Sequence, residues 1–224
     1  MSLKKSGRYN VAGLIEAQHE PGSHSQVLKN LLGINRKAEM DRVEAELLKR
    51  AVDILIRQYG PRHRFTASDI CHMHKVWLGR VYEWAGAYRR VNISKGEFPF
   101  AAAAQIPALM RELEQSLLRR HTPCLFRAAD RVVQALAEVH TELVLIHPFR
   151  DGNGRVARIL ATLMALQAGF LLDFSPIQGK RREAYFTAVR AGMTRNYEPM
   201  EAIFSGIVRK TLAVRGTSRS QKEH

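Results

Sequence analysis

The run His147-Pro148-Phe149-Arg150-Asp151-Gly152-Asn153-Gly154-Arg155-Val156-Ala157-Arg158 concentrates residues that can do chemistry. Gly152, Asn153 and Gly154 all tolerate positive φ. Placed just ahead of a helix, their consecutive N–H groups can turn inward as an anion nest, and the helix dipole adds to the attraction. Arg155 and Arg158 are three apart and project from the same side of the first turns. Cations there oppose the dipole, which favours acids at that end. They make sense for a ligand with several negative charges, such as a polyphosphate. Asp151 is then a carboxylate beside an anion site. A bridging hard cation resolves the conflict, and Mg²⁺ sharing phosphate ligands is the usual choice. His147 ends the preceding helix. Beside arginines and a metal it stays neutral at pH 7 and can accept a proton. Base, metal carboxylate, phosphate nest and two arginines together describe nucleotide or phosphate transfer to a hydroxyl. Each residue alone has a blander reading: a capping His, a turn Asp-Gly, a Gly-Asn-Gly loop, a surface Arg pair. Their order and closeness argue against coincidence.

The elements that must position this run are mainly helical. Residues 1–25, rich in Gly, Ser, His and Pro, read as an irregular N-terminal arm. Residues 38–58 interleave charge with Leu47, Leu48, Ile54, Leu55 and Ile56, an amphipathic helix stopped at Gly60-Pro61. Thr66-Ala67-Ser68-Asp69 is a cap-like start for a second helix through Trp77, and Gly86 is placed at the end of a further short one. Val91 and Ile93, then Phe98 and Phe100, alternate around Ser94-Lys95-Gly96-Glu97, which predicts a hairpin. Helices are expected over about 103–119 and 128–146. Another follows the reactive run, with Val156, Ile159, Leu160 and Leu163 on one face. The last helical region spans about 180–213, interrupted near Asn196–Pro199, and the segment 211–224 reads as a basic tail. The fold class expected is all-α, a helical bundle with a small β-hairpin.

The chain has 224 residues, 46% hydrophobic and 25% charged, which excludes wholly disordered, collagen-like and rod-like chains. The formal net charge is +14. It is diffuse: 13 basic against 8 acidic residues over 1–75, 10 against 7 over 76–150, and 12 against 6 over 151–224. A nucleic-acid binder concentrates its charge on a face or arm, so that reading is the weaker alternative. Two cysteines, Cys71 and Cys124, are too few for a disulfide framework and fit a reducing compartment. The N-terminus lacks a secretory pattern, and the longest apolar stretch, 159–172, falls short of a bilayer span. A cytoplasmic protein with no membrane partner is expected. His72 and His74 lie two apart and point to different sides of a helix; His63 and His121 read as exposed.

The reactive run resembles the signature of the Fic family (filamentation induced by cAMP), H-x-F-x-[D/E]-G-N-G-R-x-x-R, at every fixed position. Residues 81–89 resemble the family's Y-x-W-A-G segment, and Asn92-Ile93-Ser94-Lys95-Gly96 its hairpin flap. The resemblance covers about residues 65–205, within a domain placed at 26–210. It implies a protein adenylyltransferase moving AMP from ATP to a Ser, Thr or Tyr hydroxyl of a target protein. His147 would be the general base and Asp151 the Mg²⁺ ligand. Gly152, Asn153 and Gly154 would cradle the phosphates through backbone and side-chain contacts, with Arg155 and Arg158 on the β- and γ-phosphates. Phe149 would anchor the loop, and the flap, through Ile93, Ser94, Lys95 and Gly96, would pair with the target strand against strand.

Departures from the family pattern also carry expectations. Many members have an inhibitory glutamate in [S/T]-x-x-x-E-[G/N], pairing with the second arginine, here Arg158. None of the fifteen glutamates is followed by Gly or Asn; Thr194…Glu198 comes nearest, but Pro199 follows. The resemblance then implies a separate small antitoxin supplying that glutamate, with an unbraked enzyme or a secreted effector as competing arrangements. The intact glycines argue against the phosphotransferases of the same fold. Transfer of another nucleotide or phosphate-containing group stays open, with Tyr185 and Tyr197 as candidates for the base pocket.

Overall fold

The computed structural model describes residues 13–175 and 182–208; the expectations for 1–12, 176–181 and the tail from 209 lie outside the described residues. After a single 3₁₀ turn, Ile15–Ala17, the chain enters α1 (Lys37–Gln58) and α2 (Ala67–Leu78). The Thr66 hydroxyl accepts from the Asp69 N–H while the Asp69 carboxylate accepts from the Thr66 N–H. This capping box contributes about 1 kcal/mol to the start of α2. No short helix ends at Gly86: residues 79–87 form turns.

Strands β1 (Ser94–Lys95) and β2 (Phe98–Pro99) pair antiparallel around Gly96-Glu97, so the turn is two residues shorter than expected. Helix α3 (Ile106–Leu113) passes through a π turn, Glu114–Leu118, into the short α4, Arg119–His121. The Glu114 carboxylate accepts from the Ala67 N–H at 2.7 Å, tying that turn to the start of α2.

Helix α5 (Ala129–Ile146) is the centre of the bundle. Val132, Leu136, Val139 and Leu143 are buried as the spacing predicts, and so are Ala135, Ala137, His140 and Thr141 on other faces. A helix buried nearly all round is a core helix. Helices α3, α6 (Asn153–Gln167) and α7 (Arg182–Ala191) pack around it. A 3₁₀ turn at Gly192–Thr194 leads to the last described helix, α8, over 198–208. Val156, Ile159, Leu160 and Leu163 of α6 all face the core. Among the described residues no helix is long and apolar enough to cross a membrane.

Candidate active site

The reactive run is the connection between α5 and α6. His147 terminates α5 in the left-handed region, φ +52°. Its ring lies 3.6 Å from Phe100, nearly parallel. Nδ1 sits 2.9 Å from the Val144 carbonyl, which can only accept, so the Nδ1 proton is donated there and Nε2 keeps its lone pair. Burial pushes the His147 pKa down to about 4; the Val144 bond and Asp151 oppose this, and Arg89 and Lys95 reinforce it. The imidazole is therefore neutral at pH 7, as a general base requires.

The turn into α6 depends on Gly152. Its φ is +81°, and a Cβ there would lie 2.6 Å from the Trp77 ring. Only glycine fits. Its own N–H bonds Asp151 Oδ1 at 2.6 Å. The first N–H groups of α6, on Asn153 and Gly154, have no acceptor among the described residues, while those of Arg155 and Val156 turn back to the Gly152 carbonyl. An α-helix N-terminus with free N–H groups is a ready anion site.

Two arginines rise from it in different surroundings. Arg155 Nη1 is 2.6 Å from Glu44 Oε2, its guanidinium lies 4.5 Å over the Trp77 ring, and Nη2 is 3.7 Å from Asp151 Oδ1. Arg158 is bonded to no carboxylate among the described residues. Burial pulls its pKa below the ordinary arginine value; Tyr185 works against that shift and Arg155 adds to it.

Residues 64–165 match the Fic/DOC family. The chain is 30% identical over 183 residues to the probable protein adenylyltransferase Fic of Salmonella typhimurium, covering 80% of this chain and 86% of that protein. It belongs to the Fic/DOC family. It is also 33% identical over 192 residues to protein adenylyltransferase VbhT of Bartonella schoenbuchensis; the match takes in 83% of this chain and spans 37% of VbhT's length. Among solved structures it resembles the VirB-translocated effector BepC of Bartonella tribocorum, determined with AMPPNP bound. There the TM-score is 0.69 at 25% identity, covering 87% of this chain and 97% of that one.

Within this Fic domain the predicted residues divide. His147, Asp151, Gly152, Gly154, Arg155 and Arg158 lie along one turn and the first helical turns after it. The side chain of Asn153 does something else. It is buried, with Oδ1 accepting from the Phe149 N–H and Nδ2 donating to the Phe149 carbonyl, both at 2.8 Å. The loop is closed by that staple, which leaves only the main-chain N–H of Asn153 for an anion. Phe149 is fully buried, as expected. In the flap, Ser94, Lys95 and Gly96 are exposed and Ile93 is half-buried, and the Lys95 ammonium lies 3.5 Å over the Phe186 ring of α7. Tyr185 is buried, its hydroxyl 2.9 Å from His140 Nε2 and its pKa pushed up to about 12 by burial, with Arg158 pulling it back. Tyr197 is occupied elsewhere: its hydroxyl donates to Glu142 at 2.6 Å.

Four residues that hold the Fic loop were missed in the sequence. Buried Arg89 donates Nε to the His147 carbonyl at 2.8 Å, and its Nη atoms to the carbonyls of Val91 and Ala101 at 2.7 and 2.6 Å. It joins flap to loop. His74 accepts from the Gly86 N–H at Nδ1, which fixes the proton on Nε2, where it donates to the Asp151 carbonyl at 3.1 Å. Its ring stacks on Phe149 at 4.0 Å. Glu16, buried in the arm, accepts from the Arg90 N–H, and its carbonyl accepts Arg150 Nε. Glu44 is the fourth. The only available signal was the Y-x-W-A-G neighbourhood, which contains Arg89 but says nothing of its partners. His121, expected on the surface, is buried, where the Glu138 carboxylate of α5 gives its Nε2 a partner at 2.9 Å.

Asp151 fits a Mg²⁺ site of the kind that takes most of its ligands from water and phosphate. Its carboxylate is half in solvent, and no cluster of three metal-ligating side chains surrounds it among the described residues.

Proposed function

We propose that this chain is a protein adenylyltransferase that transfers AMP from ATP to a hydroxyl side chain of a target protein. The observation that carries the reading is the neutral His147, its proton on Nδ1 and its lone pair on Nε2, beside a helix N-terminus with two N–H groups that have no acceptor among the described residues. The target hydroxyl gives its proton to Nε2 as its oxygen bonds the α-phosphorus, and the bond to the leaving pyrophosphate breaks. The N–H groups of Asn153 and Gly154 bind phosphate oxygens. Arg155 and Arg158 hold the β- and γ-phosphates so that the leaving group lies in line. Mg²⁺ held by Asp151, when bound, neutralises charge on the phosphates. The flap edge, with Ile93, Ser94, Lys95 and Gly96, receives an extended target segment. Adenosine would lie toward α7, where Tyr185 borders Arg158; Tyr197, bonded to Glu142, is the weaker candidate.

The same reading makes the target a protein and gives Arg158 a partner in trans. A guanidinium with no carboxylate among the described residues is open to a glutamate from a small antitoxin. The enzyme would then be the toxin half of a pair, or an effector. The test combines purified chain, α-labelled ATP, Mg²⁺ and a cell lysate. Label should move to protein and fall by about 10²–10⁴-fold in His147→Ala. Equal labelling by both sinks the enzyme reading. Labelling by the isolated chain that is no greater than by its complex with a co-purifying small protein sinks the antitoxin.

A further inference from the structure

Arg155 is held in a way that Arg158 is not. The carboxylate bonded to it, Glu44, belongs to α1, 111 residues earlier and outside the segment 64–165 that matches the family. The Glu44 side chain is 5% exposed. Its second oxygen accepts the Tyr82 hydroxyl at 2.7 Å, and its main-chain carbonyl accepts the Trp77 indole N–H at 2.9 Å. The face of that same Trp77 lies under the Arg155 guanidinium. Helix α1 therefore delivers a buried carboxylate and orients an aromatic platform, and both act on one arginine.

Such a clamp has a definite physical consequence. A buried carboxylate needs a cation, and a long arginine in the first turn of a helix is opposed by the dipole. Pairing the two answers both demands and fixes the guanidinium plane. One of its N–H groups is taken by Glu44, while the Nη2 side faces Asp151 and solvent, the side chain being 29% exposed. An arginine already ordered loses less freedom when a phosphate arrives.

We propose that Glu44 is a positioning residue for nucleotide binding: it pre-orients Arg155 toward the β- and γ-phosphates of ATP. This rests on the reading of Arg155 as a phosphate ligand given above. Glu44 touches no substrate atom and acts through Arg155.

The test uses the full chain, with AMPPNP and AMP as ligands in the presence of Mg²⁺, by calorimetry and by steady-state kinetics. In Glu44→Ala, AMPPNP binding should weaken by about three- to tenfold. The KM for ATP should rise in parallel with kcat little changed, while AMP, which lacks the outer phosphates, binds as before. Glu44→Gln keeps the acceptor and should restore most of the affinity. Glu44→Asp withdraws the carboxylate by one methylene and should reproduce the loss; it decides the matter if the alanine variant does not fold. Unchanged or tighter AMPPNP binding overturns the proposal, since Glu44 would then be a passive cover or a brake. Equal weakening of AMP and AMPPNP also overturns it, since the role would be structural. Arg155→Ala separates the layers. If it leaves AMPPNP binding intact, the phosphate role of Arg155 fails first; if it weakens binding and the Glu44 variants do not, only the clamp fails.

Discussion

The Fic loop and the flap both border His147, and they are built to opposite standards. The loop, residues 147–154, is held from four distant places: by the Glu16 carbonyl and by the side chains of His74, Arg89 and, through Arg155, Glu44. Its own Asn153 staples it shut. The flap has a ladder of two residue pairs, and Ser94, Lys95, Gly96 and Glu97 are exposed. The half that would meet the nucleotide is fixed before the ligand arrives, which is how electrostatic stabilisation avoids reorganisation. The half that would meet the target is an exposed two-pair ribbon, the kind of edge that an incoming strand can extend.

The hardest blow to the rigid half is Gly152→Ala. An L-residue at φ +81° costs about 1–2 kcal/mol, and its Cβ would also lie 2.6 Å from the Trp77 ring. The turn must shift, and displacement of a reacting group by about 1 Å can cost on the order of 10²-fold in rate. Label transfer should fall by about that factor and the melting temperature should drop. Wild-type behaviour would mean that the loop is softer than its bonds suggest.

A second way to sharpen the contrast is pH. His74, His140 and His147 each have a pKa lowered by burial from the ordinary 6.5 to about 4. The unfolded chain therefore binds more protons than the folded one between those values. Stability contributed by these groups is complete above about pH 6.5 and is lost as pH falls toward 4. Urea midpoints measured from pH 7 to 4 should fall across that window, and His74→Gln should flatten the fall. The acidic limb of kcat/KM should lie well below 6.5, because His147 is still unprotonated at pH 5.5. A limb at 6.5 would show that His147 is solvated in the working enzyme.

Helix positions were legible in the sequence because they rest on local signals. The Thr66–Asp69 box, the spacing of Val132, Leu136, Val139 and Leu143, and the break at residues 147–152 each lie within a few residues of the feature they announce. The π turn at 114–118 was not legible, since nothing in Glu-Gln-Ser-Leu-Leu departs from helical spacing; nor was the tertiary bond that ties Glu114 to the start of α2. The order and type of the site residues were legible for the same reason as the helices. What supports them was not. Glu44 looks like one more charged position on an amphipathic helix, and Arg89 like one more surface arginine, until the fold brings each to partners 111 and 58 residues away. Asn153 is the complementary case: a ligand contact was expected of its side chain, which is bonded to the Phe149 main chain and closes the loop.

The smallest expected effect tests the soft half. Lys95 touches the Phe186 ring of α7, a cation–π contact of about 0.5–1 kcal/mol at an exposed site. Lys95→Met removes the charge, keeps most of the length of the side chain and changes no residue of the loop. The flap's resting position would loosen while the nucleotide half stays as it was. The KM for the protein target should therefore rise by about two- to fivefold, the KM for ATP should stay within error, and the melting temperature should fall by about 1–4 °C. Charge near His147 falls in the same variant, because Lys95 helps hold the His147 pKa down. Its pKa should move slightly upward, and the acidic limb of the rate profile with it. A rise in the KM for ATP in place of that for the target would place Lys95 on the nucleotide side, and the division between a fixed half and an open half would then have to be redrawn.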